Sequence, residues 1–159
     1  IQYYTYLAHV VGGATSVGAM GENRLYTVTE FHPNVPGEQK SAAGEEFVAN
    51  WRKNQDFDLF QMNNLAMLKM LAAAINKAGS TDPLKVALAL EGAKTTDPLG
   101  HEYIMRADDH QMSEPLYLAQ FVKGVKHDSE KTGLGWKTVS MSEAKELIQP
   151  TTCKMKRPS

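Results

Sequence analysis

The sequence predicts an α/β fold. Two runs of high β-propensity near the start flank a glycine-rich, weakly helical stretch. Three helical segments follow, and short strands occupy the last third of the chain. The early order, strand–helix–strand–helix, is that of βαβα winding, in which consecutive strands pair in parallel.

The opening run Ile1–Ala8, rich in tyrosine, reads as a strand already under way, and the segment ends at Gly12-Gly13. Thr15–Glu22 is a weak helix because Gly18 and Gly21 lower its propensity. Leu25–Phe31 is a second strand, stopped by the turn-rich His32–Gly37. From about Glu38 to Lys53, Phe47, Val48 and Trp51 recur at helical spacing, with Glu45, Glu46, Arg52 and Lys53 on the solvent side. The strongest helix runs from about Asn63 to Ala78. Leu65, Leu68, Leu71, Ala72 and Ile75 form an apolar stripe that Met67 and Met70 widen, which predicts burial on most sides, with Gly79 at the C′ position. The next helix opens on Asp82 as cap and Pro83 at the first helical position, packs through Leu84, Ala87, Leu88 and Leu90, and stops at Gly92. Strands are expected at Glu102–Arg106 and Pro115–Val122, paired as a hairpin about the turn Ala107–Gln111, and at Trp136–Val139. Ser140 with Glu143 fits a capping box for a short helix reaching Ile148, and residues 150–159 form a basic tail extended over a surface.

Composition narrows the function classes. The 159 residues carry 17 basic and 18 acidic side chains, a net charge of -1, without the basic excess of a duplex-binding surface, so no nucleic-acid partner is expected. With 42% hydrophobic and 22% charged residues the chain is globular in composition, and no apolar run is long enough to span a membrane. The single cysteine, Cys153, excludes an internal disulfide and a thiolate metal cluster.

Few residues carry chemistry. Gly12-Gly13, after a strand and before a helix, has the placement of a phosphate loop but lacks both G-x-G-x-x-G and G-K-[ST] spacing; a loop at a ligand-binding edge is the better reading. Tyr4, Thr5 and Tyr6 near the end of the first strand present rings and hydroxyls to a small molecule, with Tyr4 and Tyr6 on one face and Thr5 on the other. Asp108, Asp109 and His110 form the densest acid–histidine cluster, but adjacent side chains on a turn seldom converge on a metal, and turn capping is the expected role. His32 and His101 sit beside turns and are expected at the surface. No G-x-S-x-G, no Cys–His partner and no facing carboxylate pair stands out, so no catalytic residue, cofactor or metal is assigned.

Taken in order, these stretches resemble a family. Tyr3–Tyr6 precedes a glycine-containing loop, and Tyr26–Pro33 precedes Phe47-Val48-Ala49-Asn50-Trp51. Then come Ala72–Pro83, Val86–Gly92, Gly100, Met105–Gln111, Gly133–Trp136 and Thr152–Met155. This order and spacing are similar to the carboxyl-terminal portion of a type I periplasmic solute-binding protein, of the branched-chain amino acid and amide group that feeds ABC transporters. The resemblance implies a two-lobe, three-layer α/β/α architecture with the solute held between lobes. Residues 1–60 would belong to the carboxyl-side lobe, 61–113 to the amino-side lobe, and 114–159 would return to the first. The abrupt opening strand then fits a fragment of a longer receptor.

The same resemblance implies a function without chemistry on the ligand: solute recognition in the periplasm for uptake, with a membrane permease as partner and self-association of the fragment as a further possibility. A sensory or regulatory amide-binding domain is the alternative. Ligand contacts are expected from Tyr4, Thr5, Tyr6 and Leu7. In amino acid binders of the family an acid for the ammonium group would fall near Tyr6 or Leu7, and neither is acidic. Glu30 is the candidate substitute; without an acid, an amide, a carboxylate or an aromatic acid is favoured over a leucine-like ligand.

Overall fold

The computed structural model describes residues 1–157, which divide into two compact units. The first comprises residues 1–62 and 116–142, and the second residues 63–115 together with the chain from 143 onward.

The first unit is built on a four-stranded sheet in the order β1-β2-β6-β7. β1 (Tyr3–Thr5) and β2 (Leu25–Thr29) pair in parallel, as βαβ winding requires, through the register Tyr3↔Leu25 to Thr5↔Thr27. β6 (Leu116–Lys123) runs antiparallel to β2, and β7 (Leu134–Ser142) antiparallel to β6. The opening strand is shorter than its tyrosine content suggests, because turns begin at Tyr6. The weak helix appears as α1 (Gly13–Val17) followed by a 3-10 turn. A short helix, α2 (Val35–Glu38), precedes α3 (Ala42–Asn54), which Ser41 caps by accepting the Gly44 N–H at 3.1 Å.

Strand alternation selects the core. Leu25, Thr27 and Thr29 turn inward from β2, while Ala119 and Phe121 of β6 and Leu134 and Trp136 of β7 join Ala14 and Phe60. Phe121 and Trp136 are fully buried, with ring centroids 4.9 Å apart. Gly135 lets the preceding loop lie against the sheet: a Cβ there would meet His127 O at 2.5 Å. Asn34 fastens that loop, its Nδ2 donating to His127 O (2.8 Å) and Trp136 O (3.0 Å) and its Oδ1 accepting from His127 N (2.8 Å). His32, expected at the surface, is fully buried. The chain leaving β2 crosses over the sheet toward β7, where the His32 Nε2 lies 2.9 Å from Thr138 Oγ1.

The second unit contains α4 (Met62–Ala78, from its second residue), α5 (Pro83–Leu90) and a three-stranded antiparallel sheet of β3 (Lys94–Thr96), β4 (Glu102–Met105) and β5 (Met112–Ser113). α4 buries Met62, Ala66, Met70 and Ala74, one residue per turn, and leaves Met67, Leu68 and Leu71 exposed. The stripe read from the sequence is therefore not the buried one. The helix is apolar on nearly every side, and small residues at 66 and 74 define the close-packed face. Gly79, at φ 57°, ends it in the left-handed conformation.

α5 starts as its sequence dictates: the Asp82 carboxylate accepts the Lys85 N–H at 3.0 Å, with Pro83 behind it. Replacing Asp82 by Ala should destabilise the second unit by about 1 kcal/mol. Urea unfolding should show this as a lower midpoint with an unchanged slope.

The hairpin about Ala107–Gln111 is formed by β4 and the two-residue β5, Ile104 facing Ser113, while the strand beginning near residue 115 pairs instead with β2 and β7. The capping box sits three residues later than expected. Ser140 lies within β7, and Glu143 with Glu146 caps a 3-10 turn at Ala144–Glu146. The chain after Ser142, expected to stay with the lobe of residues 114–142, packs with the second unit: Ser113 Oγ donates to Ala144 O at 2.5 Å. The tail is pinned there by Arg157, whose Nε lies 2.7 Å from Glu91 and whose Nη2 donates to Ala107 O at 2.6 Å. Pro158 and Ser159, the end of the expected basic tail, lie outside the described residues.

Candidate functional site

Parallel pairing brings the carboxyl ends of β1 and β2 to the same edge of the sheet, the edge where open α/β sheets bind ligands. Immediately beyond β1 come Tyr6 and Leu7, both more than half exposed; immediately beyond β2 comes Glu30, only 7% exposed. The Tyr6 hydroxyl donates to Glu30 Oε1 at 2.9 Å. Among the described residues no lysine, arginine or amino terminus pairs with Glu30. The site thus presents a buried carboxylate, held by one phenol, without a counter-cation.

Behind it His9 is buried, its Nδ1 3.0 Å from Thr27 Oγ1 and its ring 5.4 Å from Phe60. Burial pushes the His9 pKa below its ordinary value, and the charge of Glu30 partly opposes that shift. Thr5 faces away from solvent more than its neighbours, and its Oγ1 accepts the Ala8 N–H at 2.9 Å, closing the turn that aims Tyr6 and Leu7 outward. Tyr4 stacks on Tyr26 at 4.8 Å and donates its hydroxyl to Gln2 Oε1 at 3.1 Å. The structure therefore places Tyr6 and Leu7 with Glu30 at the strand ends, Thr5 in the supporting turn, and Tyr4 in an aromatic pair across the strands. The acid nearest Tyr6 is Glu30, from the end of the neighbouring strand.

The other candidates are occupied within the chain. The Gly12-Gly13 loop holds the Glu130 carboxylate, which accepts the Gly12 N–H, the Thr15 N–H (2.9 Å) and the Thr15 hydroxyl (2.6 Å). These bonds hold the Glu130 pKa below the usual carboxylate range although desolvation opposes them. A concavity of about 430 Å³ adjoins it, lined by His9, Arg52, Phe57 and Phe60, with Arg52 paired to Asp58 at 2.5 Å. In the second unit Arg106 bridges Asp108 (3.4 Å) and Asp109 (3.2 Å), Asp109 Oδ1 accepts the Gln111 N–H, and His110 lies 3.3 Å from Glu91. His101, expected at the surface, is largely covered and paired with Asp97 at 3.1 Å. No group of three metal-ligating side chains converges among the described residues.

A phenol and a carboxylate thus pair at the strand ends of a βαβ unit. The chain belongs to the periplasmic binding protein family, whose model matches residues 2–126. It is 28% identical over 155 residues to Leu/Ile/Val-binding protein homolog 4 of Brucella melitensis, covering 92% of this chain and 36% of the relative. The crystal structure of a leucine-, isoleucine-, valine-, threonine- and alanine-binding protein from Brucella ovis matches 99% of this chain and 41% of its own, at 25% identity and a TM-score of 0.83. A solute-binding protein of an ABC transporter from Rhodopseudomonas palustris, solved with 3,4-dihydroxybenzoic acid, shares the fold at 18% identity and a TM-score of 0.62, over 80% of this chain and 32% of its own. The chain thus spans little more than a third of the length of the relatives it matches.

Proposed function

We propose that this chain supplies one wall of the binding site of a periplasmic receptor for ABC-transporter uptake, and that its ligand is an amino acid with an apolar side chain. The observation that carries the reading is Glu30, a nearly buried carboxylate whose neighbour is a hydroxyl rather than a cation. An uncompensated carboxylate in a partly desolvated site gains most from a cationic partner, and an α-ammonium group supplies both charge and hydrogen-bond donors. The same carboxylate disfavours an aromatic or aliphatic acid lacking an ammonium group, because like charges would face each other. Tyr6 and Leu7 offer apolar surface beside it. The names of the Leu/Ile/Val-binding relatives support this ligand class. The receptor acts by binding alone, performs no chemistry on the solute, and hands it to a membrane permease.

Because the chain covers about a third of its relatives, contacts to the rest of the ligand lie elsewhere and its own affinity should be weak. Chemical-shift titration of the ¹⁵N-labelled chain with L-leucine should move the amides of Tyr6, Leu7 and Glu30. Glu30→Gln should weaken the apparent affinity by about tenfold or more, through loss of a charge-assisted bond. Tyr6→Phe, which removes a donor that supports Glu30 and leaves the carboxylate itself in place, should weaken it less, by about threefold. An unchanged leucine titration in Glu30→Gln would contradict the assignment.

A further inference from the structure

We propose that His9 makes the site proton-sensitive: its protonated ring competes with the ligand's ammonium group for Glu30 and releases the ligand on acidification. The inference rests on the reading of Glu30 as the ammonium acceptor.

One turn delivers two side chains to β2. Thr5 Oγ1 closes it by accepting the Ala8 N–H at 2.9 Å. From within the turn Tyr6 donates its hydroxyl to Glu30 Oε1 at 2.9 Å, and from just past it the His9 Nδ1 lies 3.0 Å from Thr27 Oγ1. Thr27 and Glu30 stand three residues apart on β2 and its exit, so imidazole and carboxylate share one end of the sheet, and both are buried. The charge of Glu30 favours a protonated His9 ring, against the desolvation that pushes its pKa down. The ring also borders the concavity of about 430 Å³, which gives solvent protons a route to it.

Linkage fixes the direction. An ammonium group at Glu30 offsets the charge that favours His9 protonation, so the liganded site holds that proton less readily than the empty one. Ligand and proton therefore oppose each other, and affinity falls as the pH drops below the ordinary 6.5 of the ring toward its lowered value. His32, the neighbouring ring, is pushed down to about 3 and stays neutral over this range. From α3 and the chain after it Arg52, Asp56 and Asp58 line the same concavity, and from the β6–β7 connection Asp128, Glu130 and Lys131. Arg52 is engaged by Asp58, and Glu130 by the N–H groups of Gly12 and Thr15. All of these groups remain when His9 is replaced, so the substitution isolates the ring.

Titration of the ¹⁵N-labelled chain with L-leucine at pH 7.5 and pH 5.0 tests the proposal, because leucine keeps its own charges over that range. The parent should lose about threefold or more in apparent affinity at the lower pH, and His9→Gln, which keeps a hydrogen-bonding group toward Thr27, should lose clearly less. In the parent, the His9 ring followed by its own resonances should titrate about half a pH unit lower with leucine in excess than without it, a readout that needs no variant to fold. Equal pH dependence in the parent and a folded His9→Gln would overturn the proposal and leave the Glu30 reading intact, as would a ring titration that leucine does not move. Failure of the Glu30 reading shows differently: Glu30→Gln then binds leucine at pH 7.5 as the parent does, and the proposal falls with it.

Discussion

Acidification from pH 6.5 to 4.5 should remove about 2 kcal/mol of stability through His32 alone. Burial pushes its pKa from 6.5 down to about 3, with the neighbouring His9 acting in the same direction. The unfolded chain therefore takes up a proton at 6.5 that the folded chain refuses until about pH 3. The contribution is fully present well above pH 6.5 and is lost progressively as pH falls from there toward 3. The cause is structural: the ring is enclosed, one nitrogen meets Thr138 Oγ1, and among the described residues Nδ1 has no partner to stabilise a second proton. His9 and His127 are shifted the same way and steepen the loss, whereas Asp58, pushed up by burial, opposes it. Glu45, Glu91, Asp109 and Glu130, all held below the usual carboxylate range, act at lower pH. Urea unfolding across the window should therefore give a slope about 1.4 kcal/mol per pH unit smaller in His32→Gln than in the parent. Equal slopes would show that the ring protonates freely in the folded protein.

Trp136→Ala should cost about 3–5 kcal/mol, enough to unfold the first unit or bring it close to unfolding. The side chain is wholly enclosed, packs on Phe121, and lies in the cluster that joins α1 to β6 and β7. Its removal leaves a cavity that the Asn34-fastened loop cannot fill without breaking three hydrogen bonds. The indole N–H has no partner among the described residues, so Trp136→Phe should cost only about half as much: it retains ring contact and removes an unsatisfied donor. Chemical unfolding followed by far-ultraviolet circular dichroism checks both. Equal losses for Ala and Phe would place the stabilisation in the indole N–H instead of in packing.

What was legible in the sequence is what is local. Asp82-Pro83 announces a helix start because a cap is satisfied within three residues, and Gly79 announces an end for the same reason. The parallel pairing of the first two strands follows from their order. Burial is decided by distant chain, and there the reading failed. Turn-like surroundings pointed His32 to the surface, but the sheet it crosses buries it. On α4 apolar residues on all sides left the packed face open, and the small residues at 66 and 74 decided it. The polar Lys94–Thr96 and the two-residue Met112–Ser113 are strands only because Glu102–Met105 lies between them. Glu30 was visible as a candidate, but its placement needed register: the pairing of Thr5 with Thr27 sets Tyr6 and Glu30 just past adjacent strand ends.

The central claim, that Glu30 receives an ammonium group, is tested most directly by comparing 3-methylbutylamine and 4-methylpentanoate, which carry the leucine side chain with only its amino or only its carboxylate end. Titrated into the ¹⁵N-labelled chain at pH 7, the amine should shift the amides of Tyr6 and Glu30, and should lose that effect in Glu30→Gln. The carboxylate should leave both amides in place. The reverse pattern, with the acid perturbing Tyr6 and Glu30 and the amine silent, would contradict the account and return the ligand to the class of simple carboxylates.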